Sequence, residues 1–165
     1  MPVIAENSTV STLTDHARSM ISYNRWANER IFRAARALPA EQFAGISDKL
    51  AHVLGTQLWW YSNWTGESWA EPQQRAYDEL KSEFEASHAQ LHAYGERLDD
   101  DEWGRVEAWW KQWGHDEAAP VGSTLFQVIY HGIQHRSEVA VTLTERGASP
   151  GDLDYLNFLQ ETAPR

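Results

Sequence analysis

The chain has no cysteine among its 165 residues. That excludes a disulfide framework and any thiolate-ligated zinc or iron–sulfur centre. Thiol chemistry here would have to be borrowed from a bound small molecule. There is also no uninterrupted apolar run approaching the roughly 20 residues that cross a bilayer. The opening residues, MPVIAENSTVST, have neither the basic start nor the apolar centre of a signal peptide. A cytoplasmic protein with no membrane partner is the expectation. Positive charge is scarce, the formal net charge being −10, whereas a phosphate backbone needs clustered Lys and Arg. Arg18, Arg25, Arg30, Arg33 and Arg36 crowd one segment but are spread around its helix. They read as a solvated face, and no nucleic-acid partner is expected.

Tryptophan is over-supplied, with nine residues. Large aromatic walls suit a pocket, a homodimer interface or plain core filling. The length fits one domain, residues 1–165, with residues 1–11 expected to be flexible.

Apolar residues at Leu13, Ala17, Met20, Ala27, Ile31, Ala34 and Leu38 have helical spacing, and Pro39 ends that run. A second helix is predicted from Ser47, with Asp48 in its first turn, to Gly66. A third runs from about Gln73 to Leu98. A fourth follows Gly122, with Ser123 or Thr124 as its cap, and ends at Gly147 before Pro150. Between the third and fourth lies a Trp-rich excursion, too long for a turn and too aromatic for a linker. Within it, RVEAWWKQW, Gly114 and then AAPV predict a short β-hairpin. The tail after Asp154 is expected to pack against an edge. The architecture expected is all-α, a four-helix bundle, in which sites are built from side chains projecting inward.

Two histidine pairs share one spacing, His131 and His135 in YHGIQHRSEVA and His88 and His92 in SHAQLHAY. Residues four apart lie about 40° apart around a helix and roughly 6 Å along it, so two imidazoles can reach one ion. A zincin pattern needs Glu after the first His, and Gly132 stands there. His131 and His135 flank the stripe of Val128, Gly132 and Val139, which leans them inward. His88 lies at the margin of the Leu80, Phe84, Leu91 and Leu98 stripe, and His92 points away. The second pair is therefore read as solvated surface. His52 is a candidate third ligand, on a line with Ala51, Gly55 and Trp59 that suits a face turned to a cavity; a histidine with one hydrogen bond at a bundle edge is the plain alternative. The first two helices should be antiparallel, with His52 level with a residue near Arg33. His16 then sits about 25 Å away and is disfavoured. His115 cannot be placed by this reasoning.

Three segments together resemble the DinB/YfiT-like (damage-inducible) family of metal-dependent four-helix bundles: YNRWANERI, LAHVLGTQLWWYSNWTG and YHGIQHRSEVAVTLTERGASPGDLDYLNFL. The resemblance implies a three-histidine metal site made by His52, His131 and His135, holding nickel, zinc or iron. It also implies, for some members, a transferase or isomerase acting on a small-molecule substrate with a low-molecular-weight thiol cofactor. A metal-dependent hydrolase and a non-catalytic metal-binding stress-response bundle are the alternatives. Three neutral imidazoles would leave a coordination position open, the layout of a catalytic site. Glu138 reads as a fourth ligand, an acceptor for an imidazole N–H, a general base, or a solvated carboxylate. Arg136 could grip a substrate carboxylate or form a structural ion pair. Asn28 is a candidate support for the site. Trp59, Trp60, Trp109 and Trp110 are candidate pocket walls, and Arg136 and Trp59 are the residues assigned to cofactor binding.

Overall fold

A computed structural model describes residues 12–73, 75–108 and 117–163. The expected flexibility of residues 1–11, the wall roles of Trp109 and Trp110, and His115 lie outside them. The elements are α1 (Leu13–Ala35), α2 (Ala40–Thr65), α3 (Tyr77–Glu96), α4 (Asp100–Gly104), β1 (Val106–Ala108), β2 (Ala118–Pro120), α5 (Val121–Glu145) and α6 (Tyr155–Thr162). The expected bundle and hairpin are both present, with β1 antiparallel to β2 and Val106 opposite Pro120. Among the described residues no helix is long and apolar enough to cross a membrane.

Capping chemistry sets the helix starts, and it corrects several expected boundaries. At α1, Thr12 Oγ1 accepts from the Asp15 N–H at 3.1 Å while the Asp15 carboxylate accepts from the Thr12 N–H at 3.0 Å, a capping box. The second helix begins at Ala40 rather than Ser47. Pro39, extended at ψ 151°, occupies its N-cap, and the buried Ser47 hydroxyl donates back to the Ala44 carbonyl. Neither Ser123 nor Thr124 caps α5. Pro120 does, and Thr124 Oγ1 donates to the Val121 carbonyl and accepts from Trp64 Nε1 at 2.8 Å. Asp99, accepting from the Glu102 N–H at 2.8 Å, starts the short α4, which the periodicity did not reveal. The tail forms α6, whose Phe158 ring packs on Tyr23 and Trp26 of α1.

α1 and α2 each pack against both α3 and α5, so consecutive helices α1 and α2 stand diagonally across the bundle. Contacts between Phe43 and Tyr77 and between Trp64 and Tyr94 make α2 and α3 parallel. Lys49 with Glu138 and Trp64 with Thr124 make α2 and α5 antiparallel. The link from Thr65 to Tyr77 must therefore return from the end of α2 to the level of Phe43. That is about 33 Å at 1.5 Å per residue, a span that eleven residues cover only when nearly extended. The strap lies on α2. Pro72 is buried beside Gly55, where a Cβ would stand 3.3 Å from its ring, and Arg75 Nε donates to Asp48 Oδ1 at 2.7 Å.

Of three apolar clusters, one packs α6 against α1 and α5, and the other two fill the bundle. One holds Ile31, Phe32, Leu50, Leu54, Leu80, Phe84, Val139 and Leu143; the other holds Ala17, Ile21, Trp60, Trp64, Leu91, Tyr94 and Leu125. Between them lies a buried polar layer to which all four long helices contribute: Asn24, Asn28, Gln57, Ser87, His88 and Arg136. Arg136 is 1% exposed and has only donors to offer. Its Nη1 donates to Asn24 Oδ1 and, at 3.2 Å, to Asn28 Oδ1. Both amides are thereby oriented. Asn24 Nδ2 donates to Gln57 Oε1 at 2.9 Å, and Gln57 Nε2 donates to Ser87 Oγ at 2.7 Å. Asn28 Nδ2 faces His88 Nε2 at 3.1 Å, so that nitrogen accepts and the neutral ring carries its proton on Nδ1.

Gly132 makes room for this layer. A Cβ there would stand 2.8 Å from Arg136 Nη1 and 3.1 Å from Asn24 Oδ1. Helix propensity alone makes Gly132→Ala stabilising by about 1 kcal/mol. The pinned guanidinium reverses the sign, and the expected outcome is a loss of about 1–3 kcal/mol in urea unfolding.

Candidate metal centre

The α2/α5 edge at the level of the polar layer carries three imidazoles. His52 comes from the middle of α2; His131 and His135 stand one turn apart on α5. One nitrogen from each lies within 4.8 Å of the others. The His52 and His131 Nε2 atoms are 3.0 Å apart. Ring centroids are separated by 4.8 Å (His52 to His131), 5.0 Å (His52 to His135) and 4.5 Å (His131 to His135), with interplanar angles of 60°, 80° and 70°. The rings thus converge edge-on rather than stack. Two nitrogens bound tetrahedrally at 2.0–2.1 Å to one ion would stand about 3.3 Å apart; the His52–His131 pair is near that spacing, and the group as a whole, spread over as much as 4.8 Å, would close further around a shared cation.

Protonation favours the same reading. Partial desolvation of the ring first, then the positive charge that His135 would carry, holds His52 below its ordinary range; Glu71 and Glu138 oppose that shift. Burial, then His135 and His52, lowers His131 to about 4. Both rings therefore present lone pairs at neutral pH. His135 Nδ1 lies 3.1 Å from Glu138 Oε2, which orients that ring and leaves Nε2 as its lone pair. Lys49 in turn holds Glu138, and Lys49 then His135 keep its carboxyl below the usual range, so the group is ionised. His52 is exposed and the other two rings are half-buried, which leaves the cluster open on its outer side.

The remaining candidates fall elsewhere. Arg136 is enclosed beneath α5, hydrogen-bonded to Asn24 and Asn28, with its charged centre 5.7 Å over the Tyr23 ring. Burial lowers its pKa to about 10, which keeps it charged at neutral pH. Asn28 belongs to the same layer. Trp59 is half-buried, packed edge-on against Trp60 at 4.7 Å, and lines a 280 Å³ hollow with Trp69. Trp60 is buried in the core. His16 is exposed against Phe126 and Tyr155, away from the cluster. His92 is exposed as expected, but His88 is not. It is 5% exposed and sits in the polar layer, because it falls between Phe84 and Leu91 on the inward stripe of α3. Lys49 escaped the sequence reading altogether. Its one signal is a position three residues before His52, on the same helical flank.

A cavity of about 880 Å³ around Trp64, Tyr94, Arg97 and Arg105 does not include the histidines. Its Glu102 is already committed to Arg105 and the Tyr94 hydroxyl. Volume alone does not mark the chemistry here.

Comparison with known proteins agrees with this picture. A family model described as the DinB family matches residues 10–165. Protein DinB of Bacillus subtilis (strain 168) is 24% identical over 165 aligned residues, covering 89% of this chain and 95% of that protein. No solved structure matches the chain.

The buried His88 predicts a pH signature. Burial, reinforced by Arg136 and then Arg25, lowers it to about 3 from an ordinary 6.5. Above pH 6.5 the ring is neutral whether folded or unfolded. As pH falls, the unfolded ring takes up a proton that the folded ring refuses, so stability is lost. From pH 6.5 to 4 the loss from His88 is on the order of 3 kcal/mol. Carboxylates and His131 add in the same direction. The urea midpoint of His88→Gln should therefore fall less steeply over this range than that of wild type.

Proposed function

The chain belongs to the DinB family, and from that membership we propose that His52, His131 and His135 hold a divalent metal ion in a catalytic centre. The observation that carries this reading is the convergence of three imidazoles on one point, the pKa values of His52 and His131 being lowered, with an open outer side. Imidazole donors suit nickel, zinc and iron. A bound ion would supply Lewis acidity and lower the pKa of a coordinated thiol or water. The chain's own part is to hold the rings. α5 presents two histidines on one flank, α2 brings the third, and Glu138, steadied by Lys49, fixes the His135 tautomer.

The reaction class proposed is transfer or isomerisation of a small-molecule substrate with a low-molecular-weight thiol, since a chain without cysteine must take its sulfur from a cofactor. Trp59 and the hollow it shares with Trp69 would receive the non-reacting part of that cofactor. A second reading, hydrolysis, draws on Glu138, an ionised carboxylate beside His135 that could accept a proton from water. A thiol requirement in turnover separates the two. A non-catalytic bundle would want a fourth protein ligand, and the metal-binding group found among the described residues has three members. The cytoplasm is the compartment this reading assigns. Trp69, 40% exposed, offers a surface for a homodimer.

Metal analysis of tag-free protein tests the centre. Wild type and His92→Ala should each carry close to one equivalent, and His135→Ala should lose at least tenfold. Equal trace metal in all three would leave a bundle without a metal centre.

A further inference from the structure

On the edge of the bundle opposite the histidine cluster, α1 and α3 enclose a cavity of about 140 Å³. Asn28, Phe32, Phe84 and His88, all buried, form its inner wall. Arg25 and Glu29 of α1 and Lys81 and Glu85 of α3 stand at its mouth. Each of these cations is already paired with the carboxylate one turn along its own helix. The mouth therefore offers no net charge, and selection falls to the inner wall.

That wall belongs to a layer with more donors than acceptors. Asn24 Oδ1 and Asn28 Oδ1 accept from Arg136, Gln57 Oε1 from Asn24, Ser87 Oγ from Gln57, and His88 Nε2 from Asn28. Each of these acceptors is engaged, while His88 Nδ1, which carries the ring proton, is enclosed without a partner. An orphaned buried N–H is costly and rare. The charges acting on the ring, those of Arg136 and Arg25, are both positive. An incoming dipole therefore turns its oxygen end toward it. We propose that this cavity binds a small, largely apolar molecule with one acceptor oxygen, a ketone or an ester, which takes the His88 Nδ1–H. A cavity of about 150 Å³ lined by apolar side chains holds benzene, so the guest is a single ring or a chain of similar bulk. The Phe32 and Phe84 rings, edge to face at 5.2 Å, receive its carbons. The site stands apart from the three histidines of the α2/α5 edge and needs no metal there.

The test uses the full chain, 15N-labelled at histidine, at pH 7. Cyclopentanone is the probe that only accepts, and pyrrole, of similar size, is the one whose ring N–H donates. Cyclopentanone should bind roughly fivefold more tightly than pyrrole. It should shift the His88 Nδ1 resonance and leave that of the exposed His92 in place. Ala89, exposed at the mouth, becomes a plug in Ala89→Phe, which should keep the urea midpoint and weaken cyclopentanone by roughly tenfold or more. His88→Leu removes the donor and should erase the preference between the probes. That variant could fail to fold, and the Ala89→Phe arm, on an exposed residue, does not share the risk. Equal affinity for both probes, a silent His88 resonance at saturation, or unchanged binding in Ala89→Phe would overturn the site. So would a wild-type protein that binds neither probe.

Discussion

A single buried guanidinium organises the interior. Burying a charge without a counter-charge is costly, and the fold answers with amide oxygens. Asn24 and Asn28 of α1 both turn their oxygens to Arg136 of α5. Because arginine cannot accept, the polarity passes outward from donor to acceptor, through Gln57 to Ser87 in one branch and to His88 in the other. One charge thereby fixes two asparagine flips, a glutamine flip and a histidine tautomer. It also ties all four long helices at one level, between apolar clusters that could otherwise slide past each other by a turn. Gly132 follows from the same constraint, since any side chain there would occupy the space of the guanidinium.

The histidine cluster inherits its precision from that layer. Arg136 anchors the rotation of α5 about its axis, and roughly 100° around that axis the same turn presents His131 and His135 to α2. The diagonal placement of α1 and α2 then matters, because it makes α2 and α5 neighbours and so brings His52 across. The nearly extended strap from Thr65 to Tyr77 is the cost of that topology, since parallel α2 and α3 cannot be joined by a short turn.

Much of this was legible in the sequence, and the failures have physical causes. Period-3.6 apolar spacing identified the four long helices, and the inward lean of the α5 pair with the small-residue line of α2 pointed to the three histidines. Helix starts were misjudged where a proline caps in place of a hydroxyl, as at Pro39 and Pro120, because Ser47 and Thr124 resemble caps yet bond within their helices. Polarity alone makes His88 resemble a surface residue, although it sits one turn past Phe84 on the buried stripe. Asn24 and Asn28 obey the same rule on α1, between Met20 and Ile31. Polar residues at buried positions three or four apart on several helices are a readable signal, but only when the helices are considered together, since each needs its partner on another. Lys49 and the burial of Arg136 depend on which helices become neighbours, and single-helix periodicity does not carry that information.

The charge balance at the α2/α5 edge bears on whether such a centre is a structural fixture or a place for chemistry. A structural site closes its shell with protein ligands and neutralises its ion, commonly through thiolates. Here the carboxylate in reach, Glu138, is shared between His135 and Lys49, and the histidines bring no charge. A cation bound among these rings would remain both undercoordinated and undercompensated, and the missing ligand and missing charge can be supplied together only by a molecule arriving from the open side. That combination differs from the closed, neutralised shell of a structural site. The bundle has no need of such a staple, because the polar layer already holds α2 and α5 in register through α1 and α3.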